Sequence, residues 1–85
     1  MSYTVSLSKA ALRDLEALQQ KDRRRIEREI DQLAADPRPD GCKKLKDMNG
    51  LYRVRVGDFR ILYLIEDKQL LVLVVRLANR RDAYR

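Results

Sequence analysis

Between Leu51 and Ile65 the chain reads LYRVRVGDFRILYLI, alternating residue by residue and breaking once, at Gly57-Asp58. A period of two marks a strand, and a Gly-Asp break between two such runs marks a two-residue turn, so the pattern predicts an antiparallel hairpin. Folded that way, Val56 faces Phe59, Arg55 faces Arg60 and Val54 faces Ile61. One side then carries Tyr52, Val54, Val56, Phe59, Ile61, Tyr63 and Ile65. The other carries Arg53, Arg55 and Arg60 and continues into Leu62 and Leu64.

The flanking segments supply the rest of a sheet and its cover. Tyr3 to Leu7 (YTVSL) is short, β-branched and alternating, which predicts a first strand. Ser8 is placed to cap a helix over Lys9 to Leu18, in which Ala11, Leu12, Leu15 and Leu18 recur at three- and four-residue spacing and should face the sheet. After a break at Gln19 to Lys21, Asp22 is placed to cap a second helix running to about Ala35, with Ile26, Ile30, Leu33 and Ala34 as its apolar face. The two helices are expected to form an antiparallel hairpin. Two prolines and Gly41 in DPRPDG end that helix, and a lysine-bearing loop follows. Past the β-hairpin and a turn at Glu66 to Gln69, Leu70 to Leu77 (LLVLVVRL) is apolar at both parities, the mark of an interior strand covered on both sides. The expectation is a small α+β fold: one domain over residues 1–85, ordered β-α-α-β-β-β, with a two-helix hairpin packed on a mostly antiparallel four-stranded sheet.

Composition changes this picture in one respect. The net charge is +6, and it is unevenly divided: residues 1–36 hold seven Lys/Arg and seven Asp/Glu, whereas residues 37–85 hold twelve and six. All of the excess lies in the second part, which points to a polyanion such as nucleic acid as a partner. On the second helix, Arg23, Arg24, Arg25 and Arg28 are interleaved with acids at pairing distance (Arg23 with Glu27, Arg25 with Glu29, Arg28 with Asp31), so they read as a mixed solvated face. Neither a signal-peptide apolar region nor a bilayer-length run is present, and the expected location is the cytoplasm with no membrane partner. The single Cys42 excludes an intramolecular disulfide, and without histidine a structural zinc site lacks ligands.

Candidate chemistry is cationic. No histidine is present for a Ser or Cys triad, and no glycine-rich phosphate loop or magnesium-holding carboxylate cluster appears. Placing Arg55 opposite Arg60 costs roughly 0.8 kcal/mol at about 5 Å in water, a cost that solvent absorbs on a plain basic face and that a bound polyanion turns into a gain. Lys43, Lys44 and Lys46 extend the positive surface, and the tail Ala78 to Arg85 adds Arg80, Arg81 and Tyr84. Arginines around a tyrosine can bind a phosphodiester, stabilise charge developing on its oxygens and stack on bases. In RNA the 2′-hydroxyl is itself a nucleophile, so positioning and charge stabilisation supply much of the rate without metal or cofactor. Arginine is always protonated and a tyrosine near its usual pKa of about 10 is only about one part in a thousand ionised at pH 7. Surrounding cations favour the tyrosinate, which makes Tyr84 the best base candidate.

The opening YTVSLSKAALRDLEAL, the stretch KKLKDMNGLYRVRVGDFRILYLI and the terminal NRRDAY together resemble the RelE/ParE superfamily of bacterial toxin–antitoxin toxins over nearly the whole chain. The resemblance implies a RelE-like, microbial RNase-like fold and a type II toxin that cleaves translated mRNA in the ribosomal A site without a metal or cofactor. On its pattern Arg53 and Arg55 match a pair of strand residues that are often lysines, Arg60 a phosphate-binding arginine, Arg80 (or Arg81, one register along) the arginine ending the last strand, and Tyr84 a C-terminal tyrosine. Lys43, Lys44 and Lys46 match ribosomal-RNA contacts. The sequence departs from that pattern at Asn79, where many relatives have histidine, and in carrying arginine at the strand pair, which removes a group of tunable pKa. The implied partners are the ribosome and mRNA, a cognate antitoxin, and operator DNA only through the antitoxin complex. The same fold also serves an alternative, a ParE-like inhibitor of DNA gyrase.

Overall fold

The computed structural model describes residues 2–46 and 50–79. Its elements run β1 (Thr4–Leu7), α1 (Lys9–Glu16), α2 (Gln20–Ala35), β2 (Lys43–Lys44), β3 (Tyr52–Val56), β4 (Phe59–Glu66) and β5 (Leu71–Asn79). They form one sheet in the order β1-β5-β4-β3-β2. β1 lies parallel to β5 and the other pairs are antiparallel. The sheet therefore has five strands where four are expected. The extra one is the two-residue edge strand β2, which is too short and too lysine-rich to leave an alternating signal.

The hairpin forms with the expected register, Val56 opposite Phe59, Arg55 opposite Arg60 and Val54 opposite Ile61. Gly57 takes φ +59 at the first turn position, a conformation that glycine adopts without penalty. A side-chain carbon there would come within 2.8 Å of Arg25 Nη1, because that guanidinium from α2 lies across the turn. Of the ion pairs expected along α2, Arg23–Glu27 closes at 3.9 Å, and Arg25 is spent on the hairpin instead of on Glu29.

Both helices cover one side of the sheet. Ser8 caps α1, its Oγ accepting from the Ala11 N–H at 3.0 Å. Ala11 and Leu15 are buried and Leu18 packs on the core, an apolar stripe at spacings of four and three. Leu12 falls off that stripe and is 48% exposed, against the expectation that it faces the sheet. α1 also ends two residues sooner than its apolar pattern predicts. α2 starts at Gln20 behind an N-cap, Gln19, that makes no side-chain cap bond, so Asp22 sits inside the first turn instead of capping it. There it complements the positive end of the helix dipole. Ile26, Ile30 and Leu33 are the buried face of α2. Asp36, before Pro37, leaves the helix in an extended conformation, as the proline ring requires. The Pro37 carbonyl then accepts a 2.8 Å bond from the hydroxyl of Tyr63, the largest fully buried side chain.

β5 is interior, as its apolar composition predicts, but only one of its faces is covered among the described residues. Val72 and Val74 are fully buried under the helices, while Leu71 and Leu73 on the opposite face are each 37% exposed. The turn into β5 spans residues 67–70, one place later than expected, with Leu70 at φ +54.

Candidate functional site

The side of the sheet away from the helices carries the predicted cations in rows. Strand pairing sets Arg55, Arg60 and Ala78 abreast on β3, β4 and β5. One row along, Lys43, Arg53, Leu62 and Arg76 stand abreast on β2, β3, β4 and β5. Directly paired residues on neighbouring strands share a face, so Arg53, Arg55 and Arg60 occupy one surface and Lys43 extends it to the edge. Lys44, opposite Tyr52, belongs to the other face, and Lys46 lies exposed in the loop beyond β2.

Depth distinguishes the three arginines. Arg55 is exposed, Arg53 half-buried, and Arg60 only 6% exposed. Alternation assigns a face but not a depth, so the burial of Arg60 was not readable from the sequence. Its place opposite Arg55 sets two guanidiniums across one strand spacing. An anion entering over Arg60 would meet Arg55 across one strand spacing and Arg53 two positions along the same strand. Arg80, Arg81 and Tyr84 lie outside the described residues, so the site comprises its sheet component. Among the described residues no three His, Cys, Asp or Glu side chains converge as a metal-ligand set.

Beside the cations the same surface turns apolar. Leu64, Ile65, Glu66, Leu71 and Leu73 line an open depression of about 360 Å³ at the other end of β4 and β5. A larger depression, about 660 Å³, runs along α2, where Lys21, Arg24 and Arg28 alternate with Glu27 and Asp31. Its lining mixes three cations with two carboxylates, in keeping with a solvated helix face.

Sequence reasoning missed one polar cluster at the end of the sheet next to β2. Arg38 donates from Nη1 and Nη2 to the Asp67 carboxylate at 3.1 and 2.8 Å, and from Nε to the Tyr52 hydroxyl at 3.3 Å. Tyr3 donates to Asp67 at 2.6 Å. These donors, Arg38 first and Tyr3 second, hold the Asp67 carboxyl well below its usual range, at about 2. The guanidinium also lies 5.3 Å from the centre of the Tyr52 ring, which stacks at 5.8 Å on Tyr63. The cluster ties the α2–β2 loop to the start of β3, the end of β4 and the residue before β1. Its members are 14 and more residues apart, and no local pattern links them.

A family profile described as the ParE toxin of the type II toxin–antitoxin system parDE matches residues 5–84. The chain belongs to this toxin family, and it is a toxin of the type II toxin–antitoxin class. Among its relatives, Toxin RelG of Mycobacterium tuberculosis is 31% identical over 86 positions, spanning 100% of this chain and 99% of RelG. Toxin RelE of the same organism is 32% identical over 84 positions, spanning 98% of this chain and 87% of that toxin. The solved RelBE2 toxin–antitoxin complex from M. tuberculosis contains a chain of the same fold, with TM-score 0.86, 28% identity, and coverage of 96% of this chain and 95% of that one. An archaeal RelE–RelB complex from Pyrococcus horikoshii OT3 gives TM-score 0.82 at 29% identity, covering 94% and 97%.

Proposed function

We propose that this toxin is a ribosome-dependent mRNA endoribonuclease that arrests growth by cutting translated mRNA in the ribosomal A site. The observation that carries the reading is the alignment of Arg55 with Arg60 across neighbouring strands and of Arg53 on the same face, three cations placed so that one phosphodiester can bridge them. In the reaction the RNA 2′-oxygen attacks the adjacent phosphorus, the P–O5′ bond breaks, and the products are a 2′,3′-cyclic phosphate and a 5′-hydroxyl. Arg53, Arg55 and Arg60 hold the phosphate and stabilise its growing charge, Arg80 (or Arg81) adds a cation from the tail, and Tyr84 serves as base. No metal or cofactor takes part. Lys43, Lys44 and Lys46 contact ribosomal RNA, and the protein acts in the cytoplasm.

A cognate antitoxin covers the open face, burying Leu71 and Leu73 and masking the arginines. The antitoxin complexes in which the similar chains were solved support this partner. Operator DNA is reached only through that complex. Primer extension on mRNA from cells making the toxin is expected to show new cleavage within translated regions; intact mRNA during growth arrest sinks the reading. A second reading, inhibition of DNA gyrase, is favoured by the ParE description of the family. A supercoiling assay with purified gyrase separates the two, since a nuclease leaves supercoiling untouched.

A further inference from the structure

The pairing of β4 with β5 skips one residue. Ile61 faces Leu77 and Leu62 faces Arg76, but Tyr63 faces Val74, so Val75 is left over as a bulge. The bulge reverses the phase of β5. Before it the even positions Val72 and Val74 are buried under the helices; after it the odd position Leu77 is buried, and even-numbered Ala78 returns to the open face beside Arg60. Were β5 paired regularly through Val75 instead, Ala78 would turn toward the helices and Leu77 would stand opposite Arg60.

What holds this bulge is α1. β1 pairs with β5 only as far as Leu7 opposite Val74, so beyond that point the outer edge of β5 has no strand beside it. Ser8 takes over first, its N–H donating to the Val74 carbonyl and its Oγ to the Val75 carbonyl, each at 2.8 Å. Asp14 follows, its Oδ2 accepting the Leu77 N–H at 2.9 Å and Arg76 Nε at 2.8 Å while Oδ1 accepts Arg76 Nη2 at 3.2 Å. Asp14 thus does for the bulged edge what a neighbouring strand does elsewhere.

We propose that Asp14 is a positioning residue for the cationic site, clamping the bulged edge of β5 so that the strand runs past Arg60 in the phase the site requires. The proposal rests on the RNA-cleavage reading for its consequence, but not for the phase-setting itself. β5 is described as far as Asn79, and Arg80 follows in sequence.

Two measurements on the full chain test it separately. In a Cys42→Ser background, paired substitutions Arg60→Cys and Ala78→Cys place thiols at facing positions within disulfide reach. Trapping is expected to be fast with Asp14 present and slowed about tenfold or more by Asp14→Ala. In the arginine-intact protein, Asp14→Ala is expected to lower kcat for cleavage of ribosome-bound mRNA by about 10- to 100-fold with KM unchanged, the scale of a small misplacement. Asp14→Asn keeps an acceptor for the Leu77 N–H and is expected to rescue both. Arg76→Ala, which removes only the ion pair, is expected to trap at the wild-type rate and keeps the idea testable if Asp14→Ala does not fold, because slowed trapping in Arg76→Ala would assign the role to the ion pair and overturn the backbone clamp. Unslowed trapping in a folded Asp14→Ala protein overturns the proposal whatever the cleavage rate. Slowed trapping with a wild-type protein that cleaves no mRNA retains the phase-setting role and rejects the RNA reading alone.

Discussion

The two faces of the sheet are made by alternate residues of the same strands, and they have been put to different uses. On the helix side Ile61, Tyr63, Val72 and Val74 are wholly buried, and the tyrosine's one polar atom is satisfied by Pro37. On the open side Leu71 and Leu73 stay more than one-third exposed next to rows of arginine. One face holds the fold together by burying apolar surface, worth about 25 cal/mol per Å². The other sets arginines on neighbouring strands and leaves Leu71 and Leu73 partly exposed, so it contributes much less buried apolar surface to the fold. That contrast is the physical sign of a surface selected for what lands on it.

The contrast makes predictions that differ in size. Ile61→Ala should cost about 2–5 kcal/mol in urea unfolding, because a cavity opens in the covered face, whereas Leu73→Ala should cost less than about 1 kcal/mol. Comparable losses would erase the distinction between the faces. Arg60→Ala should lower mRNA cleavage about 10²- to 10³-fold and abolish growth arrest while the circular dichroism spectrum stays native. A folded, fully toxic variant would remove Arg60 from the site. Replacing Leu71 and Leu73 together by Asp should weaken antitoxin capture about tenfold or more, read by calorimetry, yet leave cleavage intact. Loss of cleavage instead would place the nuclease site on the apolar end. The smallest effect concerns the boundary cluster. With its carboxyl held at about 2, Asp67 contributes stability at pH values above its usual pKa of 3.8 and loses it as pH falls toward 2. Asp67→Asn should flatten the acid limb of the stability curve within that window, and an unchanged limb would mean that the Arg38 contact contributes nothing in solution.

The sequence carried the hairpin register to the residue, because strict alternation around one Gly-Asp break admits one pairing. It also assigned the arginines to one face. It could not give the bulge: residues 70–75 are apolar at both parities, so a one-residue phase change leaves no trace in the pattern. The clamp that holds it pairs Asp14 with Leu77, 63 residues away, and is equally invisible. Leu12 misled because four apolar residues compete for a stripe that has room for three. Lys43 was read as a basic loop residue and RNA contact, and its place in a row with Arg53 depended on a two-residue strand that no periodicity reports.

The parallel pairing of β1 with β5 also governs when the toxin comes into being. Thr4 finds its partner at Leu71, and the amide of Ser8 finds its acceptor at Val74, so the first strand waits for nearly the whole chain. Contacts of such long sequence separation form late and slowly. A nascent chain can assemble its helices and its hairpin, but it cannot close its sheet until residues 71–79 have been synthesised. The open face, with Arg53, Arg55 and Arg60 in place beside Ala78, is therefore assembled only after residues 71–79 have been synthesised.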